Sequence, residues 1–218
     1  MKRNIDINEI SDGRKYGSND LVKVGCSDCE GCSACCCGMG ESILLDPFDI
    51  WQLTTNLNRS FESLLQKEVE LHVVDGLILP NLALNGEKES CHFLNQQGRC
   101  SIHAFRPGIC RLFPLGRLYE NETFCYILQK NECKKTNCSK VKIQKWIGIA
   151  EYKKYEEFVL RWHYFTKRLG EQMAEYSAEE KKKTSMALLQ IFYMTPYQKE
   201  DFFGQFHERM QKVEEISG

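Results

Sequence analysis

Between Cys29 and Cys36 the chain reads Cys29-Glu30-Gly31-Cys32-Ser33-Ala34-Cys35-Cys36, four thiols within eight residues that end in an adjacent pair. No other stretch restricts the fold as strongly. Cysteine binds metal as the thiolate, and C-x-x-C spacing lets one tight loop aim two sulfurs at a single ion. Four such sulfurs complete a shell around zinc or occupy the corners of an iron–sulfur cluster. The run therefore predicts a metal centre, around which the rest of this segment must be arranged.

The chain holds 12 cysteines in 218 residues, all between positions 26 and 138. That is many for an intracellular protein and too few for a small disulfide-stapled secreted module. Compartment decides between these readings. The N-terminus, Met1-Lys2-Arg3-Asn4-Ile5-Asp6-Ile7-Asn8-Glu9, interleaves charges with isoleucines and opens no apolar signal stretch. No uncharged apolar run approaches the ~20 residues needed to span a bilayer. A cytoplasmic protein with reduced thiols and no membrane association is expected, although an even cysteine count is also compatible with bridges. The formal net charge of −1 and 27% charged residues give no basic excess for nucleic acid. A protein client or substrate is the partner class left open, and the oligomeric state is not encoded in any pattern found.

The cysteines divide the chain into a lead-in (1–25), a cysteine-cluster domain (26–138) and a helical C-terminal segment (139–218). The fold class expected is α+β: a compact cysteine-rich metal-binding body with short helices and hairpins, covered by the C-terminal helices. Within the lead-in, Leu21 to Val24 reads as a short strand. Ile43-Leu44-Leu45 reads as a buried strand, after which Asp46-Pro47 supplies an N-cap and a proline at the first helical position. Ile50, Leu53, Thr54 and Leu57 then share one helical face, and Ser60 starts a short helix bearing Phe61, Leu64 and Leu65. Asp75-Gly76 between β-type runs from Val69 and from Leu77 predicts a hairpin, with Pro80 marking a strand end or an edge. A second hairpin is expected to run out through Cys91-His92-Phe93-Leu94 and back through Arg99-Cys100-Ser101-Ile102, bringing Cys91 and Cys100 together.

Next comes Arg106-Pro107-Gly108-Ile109-Cys110-Arg111-Leu112-Phe113-Pro114, whose two prolines confine any helix to about two turns. Cys110 falls early in that helix, where the helix dipole with Arg106 and Arg111 is expected to favour its thiolate. The alternative is a small buried cysteine beside surface arginines. From Ser139 onward the pattern is helical, with Ile143, Trp146, Ile147 and Ala150 on one face and Tyr152, Tyr155, Phe158, Val159, Trp162, Phe165, Leu169 and Met173 continuing it. Ser177 to Glu180 and Thr195 to Gln198 match the capping-box form, so two further helices are expected to start there. The many aromatics of this segment read as packing, or alternatively as a docking groove.

Together these motifs resemble the YkgJ-type cysteine-cluster family, whose pattern is Cys-x2-Cys-x2-Cys-Cys, a Cys before a Phe-Leu-like pair, Cys-x-Ile, and Arg-Pro-x-x-Cys-Arg-x-Phe-Pro. Here these are Cys29, Cys32, Cys35 and Cys36; Cys91 before Phe93-Leu94; Cys100-Ser101-Ile102; and Arg106-Pro107 through Pro114. The likeness spans Cys26 to Arg117, including a strand-then-helix start from Leu45 to Trp51. Ser33 stands where many relatives have glycine, and His103 where an aromatic is usual; neither change removes a thiol, and His103 is either an extra ligand or a polar turn residue. The resemblance implies zinc or iron chelation by Cys29, Cys32, Cys35, Cys36, Cys91, Cys100 and Cys110. The roles of Cys26, Cys37, Cys125, Cys133 and Cys138 stay open; the last three form a later group that either closes a second site or stands as free thiols.

Seven thiolates exceed one tetrahedral shell and would leave most of their charge uncompensated by one divalent ion. Arg99, Arg106 and Arg111 could offset part of it, but additional metal does so more directly. More than one metal is expected, either one [4Fe–4S] cluster beside a mononuclear ion or two or more metals sharing bridging thiolates, with an iron–sulfur cluster or zinc as the metal. The ferredoxin run is not reproduced, because Gly38 follows the cysteines in place of proline, and the radical S-adenosylmethionine spacing is absent. The leading functional reading is an intracellular metal-binding protein. A branch of the resembling family, the flagellin lysine N-methylases, transfers methyl groups from S-adenosylmethionine with the help of an iron–sulfur cluster, so the competing reading is a metal-dependent modifying enzyme. Gly38-Met39-Gly40 gives that cofactor only a G-x-G fragment that follows cysteines instead of a strand. A structural zinc module for protein interaction is the third reading.

Overall fold

Eight α-helices and eight short strands lie along the described residues, which in this computed structural model are 7–26, 32–86, 89–135 and 138–217. A single turn, α1 (Ile7–Ile10), precedes β1 (Leu21–Gly25), in which Val22 and Val24 point inward and Leu21 and Lys23 outward. Leu44 forms one bridge to Asn81, so the strand expected at Ile43 to Leu45 is reduced to an isolated pairing, flanked by the buried Ile43 and Leu45. Asp46 then caps α2 (Pro47–Leu57) through a reciprocal capping box with Asp49, and Ser60 caps α3 (Phe61–Leu64). Strands β2 (Val69–Val74) and β3 (Leu77–Leu82) form the Asp75-Gly76 hairpin, both turn residues having positive φ. Pro80 sits within β3, tolerated because this sheet has only two strands and the residue lies at an edge.

The second hairpin is looser than expected. Strands β4 (Leu84–Asn85) and β5 (Ser90–Cys91) pair with each other, placing Cys91 opposite Leu84, while the return segment contributes only a Leu94–Cys100 bridge. Helix α4 (Gly108–Leu112) occupies the short space between the two prolines. A hairpin follows that sequence reasoning missed, β6 (Leu115–Glu120) with β7 (Thr123–Leu128), turned by Asn121 and Glu122 at positive φ. Asn121 between two runs rich in aromatic and aliphatic residues was its available signal.

The C-terminal segment does not begin as a helix. Residues 139–142 form β8 (Ser139–Lys142), antiparallel to β1 with Val22 opposite Val141 and Gly25 opposite Ser139. α5 (Ile143–Ile147) follows and stops at Gly148, whose φ of 63° a helix cannot continue. The long amphipathic helix is α6 (Tyr152–Gln172), and α7 (Ala178–Leu189) starts from the Ser177 capping box as expected. The Thr195 match is not a helix start. Thr195 Oγ1 instead donates back to Gln190 O at 2.7 Å, closing a π-helical turn, and α8 (Phe202–Ser217) begins seven residues later, where Asp201 Oδ1 accepts from Gly204 N at 3.1 Å. Among the described residues, no helix is long and apolar enough to cross a membrane.

One apolar cluster runs from Val22 on β1 to Met210 on α8. The tail aromatics pack inside it: Phe48 of α2 meets Tyr155 and Phe202 with ring centroids 5.2 Å apart in each case, and Phe158 meets Phe206 edge-on at 4.7 Å. A polar seam crosses this cluster where α4 meets α6. Gly108 N donates to Asp49 Oδ1 at 2.7 Å, Arg117 Nη2 donates to the Tyr155 hydroxyl at 3.1 Å, and a Cβ on Gly108 would stand 2.3 Å from that hydroxyl oxygen. Glycine is therefore required for the approach. Gly108→Ala should lower stability by about 1–3 kcal/mol, measured by urea unfolding, and the cost should shrink in a Tyr155→Phe background because the clashing oxygen is gone.

Candidate metal centre

The cysteine run is held in place from outside itself. Cys35 and Cys36 lie in a single 3-10 turn, Ala34–Cys36, and Cys37 leaves it in extended conformation to bridge Ser90, with Gly38 N donating to Glu89 O at 3.1 Å. This short pairing sets the run beside Cys91. The Cys100 segment is closed by its own turn, in which Ser101 N donates to Phe93 O at 2.8 Å and Asn95 N to Arg99 O at 2.9 Å. Cys110 comes on α4, whose first amide is the one pinned by Asp49.

Six of the seven cysteines singled out from the sequence, Cys32, Cys35, Cys36, Cys91, Cys100 and Cys110, line one cavity of about 50 Å³. Its apolar wall includes Met39, Ile43, Leu82 and Ile102, and its polar side carries the cations Arg99 and Arg106 together with His103. Cys29 lies outside the described residues. The described cysteines are all free thiols, so bridges play no part among them. As placed, no three His, Cys, Asp or Glu side chains among the described residues converge closely enough to hold one ion; the thiols ring the cavity.

Electrostatics in this ring favour a single negative charge and resist more. The Cys36 thiol hydrogen-bonds to Cys35, which pushes Cys35 down to about 6 against the opposing effect of burial, with help from Arg106. The same hydrogen bond, burial and the charge of the neighbouring thiols push Cys36 strongly up. Cys91 and Cys100 are raised chiefly by burial, and Cys110 is raised much further by burial and by the charge of Asp49.

This corrects the expectation that Arg106 and Arg111 would favour a Cys110 thiolate. Arg111 is turned to backbone carbonyls, with Nη2 2.5 Å from Ala104 O, Nε 2.9 Å from Arg106 O and Nη1 3.3 Å from Ile147 O. Arg106 acts on Cys35 and Cys100. Its Nη1 lies 2.8 Å from His103 Nε2, while its buried Nε has no hydrogen-bond partner among the described residues. Asp49 is the residue sequence reasoning missed at the site. It was legible only as the third helical residue of a capping box, and nothing local revealed that its second oxygen reaches 59 residues along the chain to Gly108.

The surplus cysteines fall elsewhere. Cys37 stands 3.6 Å from Ser90 Oγ, Cys125 belongs to β7, and Cys26, Cys133 and Cys138 lie near one another at the β1–β8 end.

A ring of thiols with a cationic rim defines a cysteine-based chelating domain. Comparison with protein families agrees: residues 28–139 match the CxxCxxCC family, described as "Putative zinc- or iron-chelating domain". The match covers more than half of the chain, which belongs to this family. No curated protein and no solved structure matches it.

In reduced, metal-free protein, pulse alkylation at pH 7 should label Cys35 before Cys36 and Cys110. The Cys35 rate should fall as pH drops through about 6, because the reactive thiolate is then protonated. Peptide mass mapping reads the order, and equal rates at the three positions would remove the case for one shared thiolate.

Proposed function

We propose that the protein holds an iron–sulfur cluster through Cys29, Cys32, Cys35, Cys36, Cys91, Cys100 and Cys110. The observation that carries this reading is the ring of six described thiols on one cavity. Six sulfurs exceed the shell of any single tetrahedral ion, and an all-sulfur donor set suits a polynuclear iron centre. The fit extends to charge. Raised thiols need metal cations before they ionise together, and metal affinity is accordingly coupled to their deprotonation.

A cluster bound here would supply electron transfer or an iron with Lewis acidity. The chain's own residues do the rest. Met39, Ile43, Leu82 and Ile102 exclude water from one side, and Arg99 and Arg106 offset anionic charge on the other. The Nε–H of Arg106, which has no partner among the described residues, is a donor available to sulfur, the kind of hydrogen bond that tunes a cluster. Asp49 holds the N-terminal amide of α4 and so positions the Cys110 backbone.

Anaerobic purification with elemental analysis tests the proposal. The expected result is a brown protein with acid-labile sulfide and broad visible absorption; a colourless protein with stoichiometric zinc would overturn it. Cys36→Ser, Cys100→Ser and Cys110→Ser should each lower iron content and thermal stability together, because ligand energy is also folding energy. Full iron retention in all three would refute the site.

A further inference from the structure

We propose that Tyr155 and Tyr152 of α6 form an escape route for oxidising equivalents, along which an electron from Tyr152 reaches the iron centre when peroxide attacks it. The route rests on the iron–sulfur reading of the thiol cavity and uses residues to which that reading gives no part. Its inner end is a close contact with α4. A Cβ on Gly108 would stand 2.3 Å from the Tyr155 hydroxyl, and Gly108 lies between Pro107 and Cys110, which both line the thiol cavity. From there the phenols lead outward. Tyr152, one helical turn before Tyr155, has its ring centroid 6.5 Å from that of Tyr155. Its hydroxyl meets the hydroxyl of Tyr126 on β7 and donates to Glu156 Oε1 at 3.3 Å, which leaves Tyr126 as the donor to Tyr152. Tyr155 and Tyr126 are buried, whereas Tyr152 and Glu156 are half-buried.

Packing alone needs only the rings; the hydroxyls add the chemistry. Burial raises all three phenols above the ordinary tyrosine value, so each is neutral at pH 7 and gives up an electron together with its proton. Glu156 is placed to receive the proton of Tyr152, and the Tyr126 hydroxyl then donates to the phenoxyl oxygen. Hydrogen peroxide is the oxidant. It takes one electron from a ferrous iron and one from Tyr152, and with two protons, the phenolic one released through Glu156 and one from solvent, it becomes two waters. The O–O bond and the phenolic O–H bond break, leaving ferric iron and a Tyr152 phenoxyl radical. The Tyr155 ring lies between the two and bridges the transfer without net change. Oxidising equivalents that leave by this route do not climb the cysteine oxidation ladder at the cavity thiols.

Full-length protein purified anaerobically is assayed for iron and sulfide, treated with equimolar hydrogen peroxide and frozen for electron paramagnetic resonance, with ring-deuterated tyrosine incorporated to identify the radical. The wild type should give a tyrosyl signal that narrows on deuteration. Tyr152→Phe, which keeps the ring, should lose most of that signal, and Tyr155→Phe should weaken it. Tyr176→Phe, at an exposed tyrosine outside the route, should leave it unchanged. Mass mapping of the same samples should find more sulfinic and sulfonic acid at Cys35, Cys36 and Cys110 in Tyr152→Phe than in wild type. An iron-loaded wild type with no tyrosyl signal would overturn the route alone, as would an undiminished signal in Tyr152→Phe. A wild type without iron would overturn the cluster reading and the route with it, and the metal assay shows this before peroxide is added. Should Tyr152→Phe lose iron or unfold, Glu156→Gln reads the same step: without the proton acceptor the radical yield should fall, and an unchanged yield would overturn the proposal.

Discussion

The 2.7 Å hydrogen bond from Gly108 N to Asp49 Oδ1 is the contact on which the rest of the molecule is hung. Asp49 is 3% exposed, and a buried carboxylate without partners would be severely destabilising. Its oxygens answer that demand with two backbone amides, Gly108 of α4 and Asp46 at the cap of its own helix. Burial still pushes it up to about 6, and Asp46 is raised with it, with Arg117 as the nearby cation opposing both shifts. Arg117 in turn bonds the Tyr155 hydroxyl and lies over the Tyr155 and Phe124 rings. A single polar seam thus joins α2, α4, β6 and α6, and the helix carrying Cys110 is aligned by the same atoms that anchor the C-terminal helices.

That arrangement explains why the thiols can be crowded without a compensating cation for each. Their backbone positions are set by the Asp49 contact, the Arg111 guanidinium across three carbonyls, and the Cys37–Ser90 bridge, none of which requires an ionised sulfur. The cavity is consequently framed by the fold while its charge is left unbalanced, apart from the Cys35–Cys36 pair and the arginine rim. Such a frame favours ligands that bring positive charge, which agrees with the chelating family to which the chain belongs.

Local chemistry was the most legible part of the sequence. The Asp46 N-cap, the Ser177 capping box, the Asp75-Gly76 turn and the two-proline limit on α4 all follow from contacts within a few residues, and each stands as expected. Where the reading failed, a partner outside the motif itself had changed the outcome. Ser139 to Lys142 continues a helical pattern until β1 is available to pair with it. Thr195 resembles an N-cap until the preceding helix offers it the Gln190 carbonyl. Arg111 reads as a cation for Cys110 until three carbonyls from two elements surround it.

By itself, then, the sequence determined the chemical character of this protein: a chelating domain with its thiols concentrated in a few short segments, and most of the helices and turns between them. Thiol spacing and capping are short-range properties that a linear chain displays openly. Only the tertiary structure decided which thiols share a wall, that Cys26 and Cys133 line a separate small cavity while Cys37 and Cys125 lie elsewhere, and that Asp49 and Arg117 organise the junction. These depend on where buried charges find partners, and the partners are tens of residues away.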